Sequence, residues 1–516
     1  MNKNNSGFVR TLSLPHPTLQ NNTADIDRLT ASLKTELETD QIDIDLDLLK
    51  EVPDLIRKWD YNVRCTLFKD RKRWLLTGIT DPKSTKPITS LAVDLGSTRL
   101  AFRLLNLLTG EILAESSCDN PQISIASDIL ARIHFADQEG GLEKLNTLII
   151  EGFNTTIAQL CQSCNIEPND IYSIAVAGNT AMTHLFMGLS PRWIIREPYI
   201  PVVNSPGIVK ASELGLKANP MARVLIFPNI GSYFGGDLIA GILYSGLHKK
   251  EDTAILVDVG TNAEVVLGNK HWLIACAGAA GPALEGGVSR MGMTAGPGVI
   301  EQIVIDPDTY QFDIKTIGDM PPKGICGSGL IDLAAQLFLS GMIDIRGKLT
   351  ASTCGSRLKE KDGIKYLVVV PAEASATGAD LTISQIDLNS LISSKAAMYT
   401  ILETITANVG MTPNEIKTFY VAGTFGCFIR PQSAIAIGML PDLPIESYQP
   451  LGNSSLGGAT MAITSPEHID EIYTIRDKIT YLELNVNQAF MNLFSAAKFF
   501  PHTDPSLFPS VKVPGK

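Results

Sequence analysis

LAVDLGSTRLAFRLLNLLTGEIL (91–113) and AILVDVGTNAEVVLGNKHWLIA (254–275) decide the fold of this 516-residue chain. Each reads as a strand, a tight glycine turn, a second strand, a second turn and a third strand. In each, a Val/Ile/Leu-rich first strand carries an aspartate near its end, Asp94 in one and Asp258 in the other. Each aspartate is followed by one apolar residue, then Gly, then Ser or Thr. A continuous apolar run suits a strand covered on both faces. Two copies of one hairpin design predict an internally duplicated α/β fold. Between the copies, the helical patterns SDILARI (127–133) and LEKLNTLIIEGFNTTIAQLC (142–161) precede the strand SIAVAG (173–178). The second half alternates in the same way, with FYVAGT (419–424) as a strand.

Ahead of the first copy, residues 25–59 place Leu and Ile at three and four spacing, a helical signature. Val63–Thr80 reads as a hairpin whose charged tip, KDRKR (69–73), is expected to be solvated. The expected organisation is an extended arm (1–23), a small α+β domain (24–88), a first core lobe (89–245), a second lobe (246–465) and a C-terminal segment (466–516) packing back on the core.

Composition narrows the function. Apolar residues make up 45% and charged residues 19%, a globular balance with ample core. The 43 Lys and Arg against 54 Asp and Glu give a net charge of −11. An acidic chain lacks the basic footprint of general nucleic-acid binding and is not drawn to anionic lipid, so neither nucleic acid nor membrane is an expected partner. No apolar run approaches the roughly 18 residues of a membrane span. MNKNNSGFVRTLSLPHPTLQNNTAD (1–25) has no apolar core of a secretion signal. Eight cysteines are too sparse for a disulfide scaffold, and only Cys161 and Cys164 have CxxC spacing. A reducing, cytoplasmic compartment is expected.

The two Asp-x-Gly-(Ser/Thr) turns carry the chemistry. A nucleoside triphosphate needs backbone N–H donors close to its phosphates, short hydroxyls beside them, and carboxylates that hold Mg²⁺ through water. Asp94, Gly96, Ser97 and Thr98 supply one such set. Asp258, Gly260, Thr261 and Asn262 supply a second. One Asp-x-Gly is a common turn. Two, each ending a buried strand, predict that both hairpins grip one Mg-ATP, with Asp94 and Asp258 on the metal side.

The pair resembles the phosphate motifs of the actin, acetate and sugar kinase, and heat-shock chaperone ATPase superfamily. The resemblance implies an actin-like (ribonuclease H-like) core. YFGGDLIAGILYSG (233–246) resembles its first connecting helix, and Asp237 stands where that family orients the attacking water. FYVAGTFG (419–426) resembles its adenosine motif, bringing Ala422, Gly423, Thr424 and Gly426 to the nucleotide. Thr424 departs from the second Gly usual there. GNSSLGGATMAI (452–463) resembles the second connecting helix, where small residues let two helices pack closely.

Within the superfamily, the chain is similar to the reductive activators of corrinoid proteins. The matching stretches are NPQ (120–122), AVAGNTAMTHLFMG (175–188), FPNIGSYFGGD (227–237), ACAGAAGPALEGG (275–287), GMTAGPGVI (292–300) and GICGSGLID (324–332). PHPTLQNNTADIDRL (15–29) and LLKEVPDLIRKWDYNVRCTLF (48–68) match in the small domain. The resemblance implies that ATP and Mg²⁺ drive return of a Co(II) corrinoid protein to Co(I), and it adds Gly327 and Gly329 to the nucleotide site. A ferredoxin-type domain of the family is not visible here, so the expected electron donor is a separate low-potential protein such as a ferredoxin, and no iron–sulfur cluster is expected in this chain. Cys326, in KGICGSG (323–329), resembles a cluster loop of related dehydratase activators, but is read as a small packing residue. Cys161 and Cys164 are read as packing residues in a helix, and His184 as a packing or capping residue. Glu285 and Arg290 are read either as shaping a ligand or partner face or as a structural ion pair. A homodimer is the working expectation. Two other readings stay open: a nucleotide-gated scaffold without redox role, and a small-molecule kinase using Asp237 as base.

Overall fold

The computed structural model describes residues 7–260, 263–278, 289–423, 429–482 and 488–512. They form two compact units, 7–246 with 454–478, and 247–453 with 479–512.

In the first unit, Thr89–Leu95 pairs antiparallel with Arg99–Asn106, which pairs antiparallel with Ile112–Asp119. On its other side Thr89–Leu95 runs parallel to Ile171–Gly178, followed by Arg223–Ile226 and the short Ile208–Lys210. Leu91, Val93 and Leu95 are fully buried with Ile174 and Val176. Helix Gly141–Ser163 supplies Leu145, Ile149, Phe153 and Ile157 to the same core, at the spacing of one helix face.

The second unit repeats the design. Ala254–Val259 pairs antiparallel with Ala263–Gly268, then Leu273–Gly278, and runs parallel to Thr418–Ala422, then Tyr448–Gly452. Both sheets therefore have three antiparallel strands, then two parallel ones added beside the first strand. The predicted duplication is present strand for strand. Each sheet has its own sixth strand at a different edge, Ile208–Lys210 in the first and Ile479–Tyr481 in the second, and the second unit also carries two small three-stranded sheets. Its C-terminal stretch is anchored by Lys395, fully buried in helix Gln385–Ala407. The Lys395 ammonium donates to the carbonyls of Phe499 and Pro501 and lies 5.4 Å from the Phe500 ring centroid. Burial holds its pKa well below the usual lysine range.

The small domain is a sheet in the order Val9–Ser13, Asn62–Asp70, Arg73–Thr80, Ile42–Ile44, covered by helices Asp25–Leu37 and Leu46–Lys58. It differs from expectation in three ways. The arm is not merely extended: Val9 and Leu12 are buried in an edge strand, and buried Arg28 donates to the carbonyls of Pro15, Asn21 and Thr23. The three-residue strand Ile42–Ile44 lies inside the region read as helical, too short to show a period. The hairpin tip is not simply solvated, because Lys69 pairs with Asp470 and the Arg71 guanidinium lies 4.4 Å from the Tyr473 ring centroid.

The boundaries also differ. Residues 454–478, read as the end of the second lobe and the start of the C-terminal segment, belong to the first unit. The reason is helix Ser454–Thr464, which packs on helix Gly236–Ser245 with Gly457 against the Tyr244 ring and Gly458 against the Ala240 backbone. The small residues expected to permit a close helix crossing do so. Among the described residues no helix is long and apolar enough to cross a membrane.

Candidate functional site

Asp94 is the penultimate residue of its strand, opposite Ala101 on one side and Ala177 on the other. Asp258 is the penultimate residue of its strand, opposite Glu264 and Ala422. Each aspartate thus sits at the carboxyl end of the first strand, beside an Ala-Gly pair ending the parallel neighbour. The pairs are Ala177-Gly178 and Ala422-Gly423, inside the repeated tripeptide Val-Ala-Gly. Open α/β sheets bind ligands at this edge.

In the first unit, the turn Gly96–Thr98 closes so tightly that a side chain at Gly96 would overlap the Arg99 carbonyl oxygen. Fully buried Asn120 fastens it. The Asn120 backbone N–H donates to the Thr98 carbonyl at 2.8 Å, and its side-chain amide donates to the Gly96 carbonyl at 2.9 Å. Asn120 also accepts from the Gln122 N–H at 3.0 Å, and Gln122 donates to the Leu145 carbonyl at 2.9 Å. The NPQ stretch is therefore a bracket that holds the turn on the long helix. Asp237 lies in the first turn of helix Gly236–Ser245, where the helix N-terminus favours a carboxylate. A Cβ on Gly235 would sit 2.5 Å from both Asn179 Cα and an Asp237 oxygen, and 2.9 Å from the Gly178 carbonyl. One on Gly178 would sit 2.8 Å from the Leu95 carbonyl. The strand end bearing Asp94 and the helix start bearing Asp237 thus meet around Gly178–Asn179.

In the second unit, Gly423 has φ +82, a conformation L side chains rarely adopt, and a Cβ there would lie 2.8 Å from an Asp258 oxygen and 2.9 Å from the Val259 carbonyl. This cradle keeps the Asp258 carboxylate against the neighbouring backbone. Gly423→Ala is expected to cost about 1–3 kcal/mol of stability, through the strained φ and the displaced carboxylate. Denaturant unfolding checks the loss. Gly260 is exposed at the turn. Thr261, Asn262, Thr424, Gly426, Glu285 and Cys427 lie outside the described residues. Gly327 and Gly329 open helix Gly327–Leu339, where a Cβ on Gly329 would sit 2.5 Å from the Ile300 carbonyl.

Among the described groups, Asp94, the turn Gly96–Thr98 and Asp237 lie around one strand end of the first unit, Asp258, Gly260 and Gly423 around the matching strand end of the second, and Gly327 and Gly329 open a helix against Ile300. The groups sequence reading missed are Gly178, Asn179 and Gly235, and the bracket role of Asn120. The repeated Val-Ala-Gly was the available signal for Gly178.

The described thiols are committed to packing. Cys65 and Cys276 are fully buried, which pushes each thiol up to about 12, and burial pushes Cys161 up to about 11. Cys326, at the cap of helix Gly327–Leu339, donates to the Ile300 carbonyl at 3.2 Å and lies 3.1 Å from the Ser328 hydroxyl. Among the described residues no three His, Cys, Asp or Glu side chains are grouped to hold a metal directly.

His184 has the packing role expected of it. It is fully buried in helix Thr180–Met187, with Nδ1 2.7 Å from the Thr180 carbonyl and Nε2 accepting from the Val202 N–H at 3.1 Å. This arrangement requires the neutral ring with its proton on Nδ1, and burial lowers its pKa. Unfolded His takes up a proton near pH 6.5, so the folded state loses stability as pH falls below that value. Between about pH 7 and about pH 5, the unfolding midpoint of the wild-type chain should fall more steeply than that of His184→Gln. Parallel slopes in urea titrations would contradict the assignment.

The family model for the RACo linker region matches residues 7–86, that for the RACo middle region matches 89–250, and that for the C-terminal domain of RACo, the ASKHA domain, matches 252–512. The chain is 29% identical over 488 residues to "Corrinoid activation enzyme RamQ" of Eubacterium limosum, covering 90% of this chain and 82% of that one. It is 24% identical over 435 residues to "[Co(II) methylated amine-specific corrinoid protein] reductase" of Methanosarcina barkeri, covering 78% and 75%. Among solved structures, "Reductive activator for corrinoid,iron-sulfur protein" matches with a TM-score of 0.86 and 37% identity, over 98% of this chain and 81% of that one. The middle and C-terminal regions of those models each contain one of the two duplicated sheets, and the chain belongs to the RACo family, the reductive activators of corrinoid proteins.

Proposed function

We propose that this chain is an ATP-hydrolysing reductive activator that returns a corrinoid protein from Co(II) to Co(I), with the electron coming from a separate low-potential donor. The observation that carries the reading is the likeness to a reductive activator across 98% of the chain, together with a strand-end aspartate in each of its two duplicated sheets. Asp94 and Asp258 would hold Mg²⁺ through water. The turn Gly96–Thr98 and residues 260–262 would give N–H and hydroxyl donors to the phosphates, and Gly423 would leave room for the Asp258 carboxylate. Mg²⁺ would supply neutralising charge to the phosphate chain. Asp237, at a helix start beside Asn179, would orient the water that attacks the terminal phosphate.

One electron passes from donor to cobalt, so the donor is oxidised by one electron as Co(II) becomes Co(I). Co(I) lies at low potential, and an electron from an ordinary iron–sulfur donor reaches it only if the step is coupled to differential binding of the partner or to ATP hydrolysis. Support for a separate donor comes from the described thiols, each placed in packing. The test is anaerobic. The chain is reduced with excess dithionite, freed of it, and mixed with Mg-ATP and a Co(II) corrinoid protein; it should give no Co(I) until reductant is added again. One Co(I) per reduced, dithionite-free chain would mean that the chain itself stores the electron, and would overturn the separate donor. The geometry favours neither the scaffold nor the kinase reading.

A further inference from the structure

Residues 192–204 cross the first unit as a strap that buries Ile194 against Ile133 and Ala181 and leaves four other large apolar side chains outside. Trp193 is 51% exposed, Tyr199 43%, Ile200 61% and Val202 57%. Tyr233, 38% exposed, adds its ring 5.9 Å from that of Tyr199. Single exposed apolar residues need no explanation, but a run of them on one strap and its adjoining turn does. The backbone beneath them is tied in. His184 accepts from Val202, the Tyr199 carbonyl accepts from the Ser232 hydroxyl at 2.6 Å, and the Asn204 carbonyl accepts from the Asn229 N–H at 2.8 Å. The outward face is therefore built and held, not left over from a loose loop.

The same ties lead to the strand end. The Asn204 side-chain oxygen accepts from the Gly231 N–H and the Asn229 amide, both at 3.3 Å. The Thr180 hydroxyl donates to the Gly231 carbonyl at 3.1 Å and accepts from Asn229 at 3.2 Å. Four residues past Gly231, Gly235 lies against Asn179 and Asp237. A hydrogen-bonded path thus joins the strap to the start of the Asp237 helix. The exposed apolar area is on the order of several hundred Å², below the roughly 800 Å² each partner gives to a stable complex. That is too little for a permanent subunit contact and suits a partner that docks and leaves. Charge adds little here, because Arg192 and Arg196 both face Asp137, at 3.9 and 2.6 Å.

We propose that the 192–204 strap, with Tyr233, is a docking surface for the corrinoid protein, and that the nucleotide biases its position through the 229–237 turn. The proposal rests on the activator reading. The probe is either the corrinoid iron–sulfur protein or a methylated-amine corrinoid protein, whichever the wild-type chain brings to Co(I) with Mg-ATP and reductant. Failure with both counts against the activator reading itself. With the cognate protein in hand, Ile200→Asp combined with Val202→Asp should weaken its binding at least ten-fold, while basal ATP hydrolysis and the mass in solution stay unchanged. The milder pair Ile200→Ser and Val202→Ser should weaken it at least three-fold, and serves if the acidic pair fails to fold. Asn204→Ala should bring the ratio of affinities with ATP and with ADP towards one. Wild-type affinity in both double variants would overturn the docking surface, and so would a change from dimer to monomer, which assigns the strap to a second copy. An unchanged nucleotide ratio in Asn204→Ala would overturn the coupling.

Discussion

Asp258→Asn is expected to lower ATP hydrolysis and ATP-dependent Co(I) formation at least ~100-fold, the usual scale for removing one group that stabilises charge in a transition state. The side chain keeps its size, so the strand Ala254–Val259 and its partners should be undisturbed. What is lost is the negative charge that would hold Mg²⁺, in a place where the parallel neighbour has been cut back to Gly423 to admit the carboxylate. Asp94 occupies the equivalent position in the other sheet, so Asp94→Asn should give a loss of the same order. Phosphate release measures the loss, and thermal unfolding measures the fold. Normal hydrolysis by either variant refutes its assignment.

The second large effect concerns the helix crossing. Gly458→Val should destabilise the chain by about 3 kcal/mol, the upper range for forcing extra atoms into a close-packed contact. A Cβ there would lie 2.5 Å from the Ala240 carbonyl carbon and 2.6 Å from its Cα. Those are backbone atoms, which cannot turn aside as a flexible side chain would. Ala240 is one turn beyond Asp237 on the same helix, so separating the two helices also moves the carboxylate proposed to orient water. Hydrolysis should therefore fall together with stability. Urea unfolding checks the first part, and a variant as stable as the wild type would show that the crossing does not need glycine.

The duplicated sheets were legible because each opens with a strand that is apolar on both faces and ends in the same turn. That pattern is local, and it placed Asp94 and Asp258 correctly at strand ends. Gly178 and Asn179 were harder to read. Their role comes from a parallel neighbour far along the chain, and the repeat of Val-Ala-Gly hints at Gly178 alone. The Asn120 bracket was invisible, since an Asn-Pro step signals a turn but not what its amide will hold. Helix Ser454–Thr464 was recognised as a close-packing helix yet assigned to the wrong unit. Its small residues announce a close approach without naming the helix approached. The strand Ile42–Ile44 has too few residues for any period to show.

The central claim, that nucleotide drives cobalt reduction, is tested most directly by anaerobic absorbance. The purified chain is mixed with its Co(II) corrinoid protein and a chemical low-potential reductant, and the Co(I) band is followed with and without Mg-ATP. The band should grow with Mg-ATP, and Asp258→Asn should remove this growth. Equal Co(I) formation with and without Mg-ATP, or none with either while ATP is still bound, would contradict the claim.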